Sequence, residues 1–173
     1  MILHLSDMSV QDRHFGAVKL NKLLFYADVL SYQLYGQSIT GQEYQALPQG
    51  PAPRRLKPVM EKMRKAGELR TQKLVVGRFA QLRPVVGRLP NLSKFTKQEN
   101  DLIVRVVQRF WDFNAKQISE ESHLFLGWKL AKRGETIPYN VVLIGNRKPT
   151  GAEKRKGRAL QKFARETLAG GHR

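Results

Sequence analysis

Two spacings of apolar residues alternate along this chain. From Phe15 to Tyr35 the spacing is helical: Leu20, Leu23, Leu24, Ala27, Leu30 and Leu34 fall on one stripe, and Gly36 stands where such a helix ends. A second helix is predicted over Arg54–Ala66. Leu56, Val59, Met60 and Met63 form its inner face, Pro58 falls early, where a missing N–H costs least, and Gly67 is its stop. Between Glu68 and Arg88 the spacing shortens. Leu69, Leu74, Val76, Phe79, Leu82 and Val85 mark β-prone runs broken at Val76-Gly77-Arg78, which predicts a hairpin or small sheet. Pro84 and the interspersed Arg and Lys predict that its edges are exposed.

After a loop over Leu89–Phe95, Thr96-Lys97-Gln98-Glu99 reads as a capping box opening a helix to about Phe113. Leu102, Ile103, Val106, Val107, Phe110 and Trp111 are its stripe. Ser119 is predicted to cap a shorter helix toward Phe125, which Gly127-Trp128 breaks or bends. Gly134–Pro138 reads as a turn and Val141–Ile144 as a brief apolar cover over the core. The fold class is mainly α (α+β): a helical domain over about residues 8–146 with one small antiparallel β element. Residues 147–173 are predicted to be a basic helical appendage that adds charge rather than core.

Between the first two helices, residues 43–56 read EYQALPQGPAPRRL, with prolines at 48, 51 and 53 around Gly50. Proline stiffens such a segment and glycine permits a conformation or close approach that a side chain would block. It is either a rigid corner or a held surface presenting Tyr44, Gln49, Arg54 and Arg55 to a partner.

Charge sharpens the picture. The 173 residues carry 31 Lys and Arg against 14 Asp and Glu, a formal net charge of +17. The surplus is local: residues 54–88 hold eleven basic residues and two acids, and residues 147–173 hold nine and two. Such fields attract acidic proteins or nucleic acid. A helix followed by a basic hairpin is also the outline of a winged helix-turn-helix, so a nucleic-acid-binding regulator using residues 54–88 is one alternative function. There is no cysteine, hence no disulfide framework or thiolate chemistry. Met1–Leu5 carries no basic leader, and no apolar run approaches a membrane span. The expectation is a soluble cytoplasmic protein.

Catalytic chemistry is hard to assemble. His4, His14, His123 and His172 show no metal-site spacing, and no phosphate-binding glycine loop is present. Ser119, Ser122 and His123 suggest a hydrolase, but Ser122 and His123 are adjacent and would project about 100° apart on a helix. No enzyme activity, cofactor or metal is expected.

Two separated blocks resemble one family. VKLNKLLFYADVL, followed by the Gly50-Pro51 pair, is similar to the opening signature of the Panacea domain, the SocA-like antitoxins; Lys19, Leu20, Lys22, Leu23, Leu24 and Ala27 match it, with Tyr26 one place late. ISEESHLFLGWKL matches the later block through Ser119, Ser122, His123 and Trp128. The likeness spans about residues 15–144. Gln49 departs from it, standing where an aromatic residue is common. The resemblance implies an antitoxin of a toxin–antitoxin system, a class that includes phage defence, which holds a cognate protein toxin by direct binding. It also implies that some members deliver the toxin to a protease.

Overall fold

The computed structural model describes residues 1–76 and 79–144, with Arg155 besides. Its centre is a 19-residue helix, α2 (Ala17–Tyr35), closed by Gly36 at φ 76°, a left-handed conformation that glycine adopts without steric cost. Helices α1 (Ile2–Met8), α4 (Lys97–Arg109) and α5 (Ala115–His123) pack around it. Leu5, Leu20, Leu23, Ile103 and Ile118 are fully buried where these four helices meet. Because Leu5 belongs to this core, the domain begins ahead of residue 8, the boundary taken from the sequence.

Helix α2 is buried nearly all round, not along one stripe. Phe25, Asp28, Val29 and Ser31 are buried together with the expected leucines, whereas Leu34 is exposed near its end. The additional face is covered by a sheet that the sequence reading did not anticipate. It is antiparallel, in the order β2-β1-β5, from β1 (Tyr44–Leu47), β2 (Gly50–Pro53) and β5 (Thr136–Ile137). The proline-rich stretch is thus a β-hairpin. Phe25, Val29, Tyr44, Ala46 and Ile137 form a second core between sheet and helix.

The prolines fit this strand for a definable reason. The Arg54 N–H donates to the Glu43 carbonyl, so antiparallel alternation points the backbone groups of Pro51 and Pro53 away from β1. A missing N–H removes no ladder bond at those positions, and β2 is an edge strand, where proline is tolerated. The segment expected to be only a turn, Gly134–Pro138, supplies β5. The Ala46 N–H donates to the Glu135 carbonyl, and the Gly134 N–H returns a bond to the Ala46 carbonyl.

The hairpin expected at 68–88 is present: β3 (Leu69–Val76) pairs with β4 (Phe79–Val86) in register from Leu69↔Val86 to Val76↔Phe79. The predicted break at Gly77-Arg78 lies outside the described residues. Exposure of both edges needs correction, because Pro84 is buried and Arg83 is only 9% exposed. The Arg83 guanidinium donates to the carbonyls of Ser9 (2.8 Å), Val10 (2.5 Å) and Asp12 (2.9 Å), which docks β4 on the connection after α1. Arg70, Lys73 and Val75 face outward. Helix α3 (Leu56–Lys65) precedes the hairpin and buries none of its residues; its stripe of Leu56, Val59, Met60 and Met63 is only half-buried.

The capping box of α4 is formed as expected, with the Glu99 N–H donating to Thr96 Oγ1 and the Thr96 N–H to the Glu99 carboxylate. A second box opens α5. The Gln117 N–H donates to Asn114 Oδ1, and the Asn114 N–H to Gln117 Oε1. Ser119 therefore lies inside α5 and is not its cap. Gly127 and Trp128 lie within the short helix α6 (Leu126–Leu130). Residues 139–143 form a 3₁₀ turn. The appendage expected at 147–173 lies outside the described residues apart from Arg155. No helix among the described residues is long and apolar enough to cross a membrane.

Candidate functional site

Residues a hundred positions apart meet at the turn of the β1–β2 hairpin. Lys22, on α2, is 1% exposed, and its Nζ donates to the Pro51 carbonyl at 2.9 Å. Trp128 Nε1 donates to the Leu47 carbonyl at 2.8 Å. These two bonds hold the hairpin on either side of its turn. Gly50 lies between them at φ 98°. A Cβ there would come 2.7 Å from Lys22 Nζ and closer still to Ser122 Oγ. Glycine is required twice over, by backbone conformation and by space.

The His123 ring stacks on Trp128, with centroids 4.1 Å apart and planes 11° from parallel. Its Nε2 has no hydrogen-bond partner among the described residues. The Ser122 hydroxyl donates to the Ser119 carbonyl at 2.7 Å, so its proton is committed to backbone and not directed at His123. The arrangement is a clamp, with no nucleophile–base pair in it.

Lys22 has no carboxylate within ion-pair distance among the described residues. Burial alone pulls its ammonium down from the ordinary lysine range to about 7. A cleft of about 270 Å³ lies beside it, lined by Asn21, Lys22, Leu47, Gln49 and Gly50.

Two further buried polar centres brace α2. The Asp28 carboxylate accepts from the Thr40 N–H and the Tyr44 hydroxyl, each at 2.8 Å, and from the Thr40 hydroxyl. Burial raises the Asp28 carboxyl from its ordinary value, although these bonds oppose the rise. Lys19 Nζ meets Asp12 at 2.5 Å and donates to the Trp111 carbonyl at 2.6 Å. Burial lowers the Lys19 ammonium, while Asp12 acts to raise it.

Of the residues singled out from the sequence, Lys22, Gly50, Pro51, Ser119, His123 and Trp128 come together here. Tyr26 does not; it packs on Phe110, and burial raises its phenol. The expected partner-facing group does not share one free edge. Tyr44 is 2% exposed, because strand alternation turns it toward α2, where it meets Phe25 edge-to-face and bonds Asp28. It is not part of an exposed edge. Arg54 is engaged within the fold, donating to the Gly134 carbonyl (2.7 Å) and Thr136 Oγ1 (2.9 Å). Gln49 and Arg55 are exposed. Sequence reasoning missed the structural parts played by Asp12, Asp28 and Arg83: Arg83 donates to backbone carbonyls, and the two carboxylates accept from Lys19, Thr40 and Tyr44, pairings that leave no spacing to read.

A family model described as "Antitoxin SocA-like, Panacea domain" matches residues 20–129, a span that contains both halves of the clamp. The chain belongs to this SocA-like antitoxin family. No curated protein and no solved structure gives a match.

Proposed function

We propose that this protein is the antitoxin of a toxin–antitoxin system and neutralises a protein toxin by binding it, with no catalysis of its own. The family match carries the reading. The clamp supports it, since the signature residues of both blocks are committed to holding a hairpin in one conformation. A preorganised surface binds at little ordering cost. Proteolytic delivery of the captured toxin is a second stage that the same binding step would serve, and the site of action would be the cytoplasm.

The charge of residues 54–88 favours one other reading, contact with nucleic acid. It is weaker as a wing, because Arg83 is spent inside the fold. Co-expression with the product of the neighbouring gene separates the two. The antitoxin reading expects growth arrest by that product alone, recovery with this chain, and co-purification of the two. A toxic neighbour that is neither bound nor neutralised would put nucleic-acid binding first.

A further inference from the structure

Helix α3 is amphipathic yet buries nothing completely. Leu56, Val59 and Met63 instead line an open groove of about 320 Å³, whose other walls include Leu24, Pro90 and Phe95. A helix with an apolar stripe is stable only when that stripe is covered, and here the coverage stops half-way.

The rim is strongly cationic. Helical spacing puts Lys62 about 60° from Val59, on the outer side of the stripe, and Lys94 lines the groove from the 3₁₀ turn at Leu92–Lys94. Arg55, at the N-cap of α3, is exposed. None of Arg55, Lys62 and Lys94 has a carboxylate within ion-pair distance among the described residues. The acid on the groove wall, Glu68, is already paired with Arg88 at 2.7 Å. An apolar floor thus lies beneath unpaired cations.

We propose that this groove takes an acidic segment of the toxin, with large apolar side chains seated on Val59, Met63 and Phe95 and carboxylates meeting Lys62 and Lys94. The proposal rests on the antitoxin reading and names the chemistry of the partner. A nucleic-acid backbone matches the rim but offers no side chains for the floor. An uncharged apolar segment matches the floor but leaves the rim unanswered. The acidic amphipathic segment satisfies both.

The test uses the full chain and the neighbouring toxin in catalytically inactivated form. Affinity is measured for the wild type, for Lys62→Glu with Lys94→Glu, for Met63→Glu, and for Arg70→Glu with Lys73→Glu, two exposed residues of β3 that do not line the groove. The last pair changes net charge as much as the first but lies away from the groove. Groove variants should bind at least tenfold more weakly and fail to rescue growth, with the β3 pair within about threefold of wild type. A photo-crosslinking residue at position 63 should attach to a toxin peptide containing Asp or Glu beside a large apolar residue. Circular dichroism on each variant confirms folding, and Met63→Leu, which keeps the floor apolar, should retain binding. Normal toxin binding by folded groove variants overturns the groove proposal and leaves the antitoxin reading standing. Equal loss in the β3 pair overturns it too, reducing the effect to net charge. Failure of the wild type to bind the toxin removes both, and groove variants that lose duplex DNA binding but keep the toxin assign the rim to nucleic acid.

Discussion

Gly50 is where backbone, lysine and serine compete for the same few ångströms. Gly50→Ala forces a side chain into positive φ and onto Lys22 Nζ, so it should cost about 2–4 kcal/mol of unfolding free energy in urea. An unchanged midpoint would show that the turn relaxes without loss. Lys22 makes a second prediction. Its folded value near 7 lies below the ordinary 10.5, so between those limits the unfolded chain binds more protons and stability rises with pH. Burial of the charged form is unfavourable below about pH 7, and that handicap lifts as the amine is neutralised. Lys22→Met should reduce the rise between about pH 7 and 9.5, a window chosen to stay below the tyrosine range, leaving the part that the lowered Lys19 ammonium and N-terminal amine supply. Parallel wild-type and variant curves there would refute it. The importance of Lys22 was legible in the signature, but its environment was not. A lysine on a helix ordinarily reads as a solvated side chain, and only the path of Pro51 shows why this one is inside.

At the scale of elements, long periodic segments were the most legible. The stripes of α2 and α4, and the Thr96–Glu99 box, are fixed by neighbours within a few residues. What escaped were features set by distant contacts. The strand β5 is two residues long and exists because Ala46 offers both backbone groups on that side. The Asn114–Gln117 box was available to the same rule as Thr96–Glu99, but Ser119 drew the start of the helix five residues late. Asn114→Ala should cost about 1 kcal/mol in thermal or chemical denaturation. Arg83→Ala should cost more, about 2–4 kcal/mol, since three carbonyls lose a buried charged donor, although those of Ser9 and Asp12 keep a backbone N–H. Hydrogen exchange should show the release concentrated in β4 and residues 9–12, and protection unchanged there would mean that packing alone docks the hairpin.

For the whole molecule, charge acts on encounter and apolar contact on residence. If the basic rim steers the toxin, raising salt from about 50 mM to about 500 mM should lower the association rate tenfold or more and change dissociation far less. Stopped-flow mixing measures both, and a salt effect confined to dissociation would contradict steering. Net charge was plain in the sequence, and so was its concentration in residues 54–88. Its division of labour was not: Arg83 and Arg54 serve the fold, while Arg55 and Lys62 remain at the surface. Nothing in a string of basic residues distinguishes these fates, because each depends on which backbone carbonyls the fold brings within reach.

The placement of Pro51 and Pro53 has a consequence for how copies of this chain, or strands of any partner, can meet it. A sheet edge normally offers a row of donors and acceptors on which another strand can be templated. Along β2 the outward donors at 51 and 53 do not exist, one outward acceptor is held by Lys22, and the strand lies buried from Gly50 to Pro53. That edge is closed to strand addition. Growth of the sheet into a fibre or an edge-to-edge dimer is blocked there, and recognition along β2 by matching main chain to main chain is blocked with it.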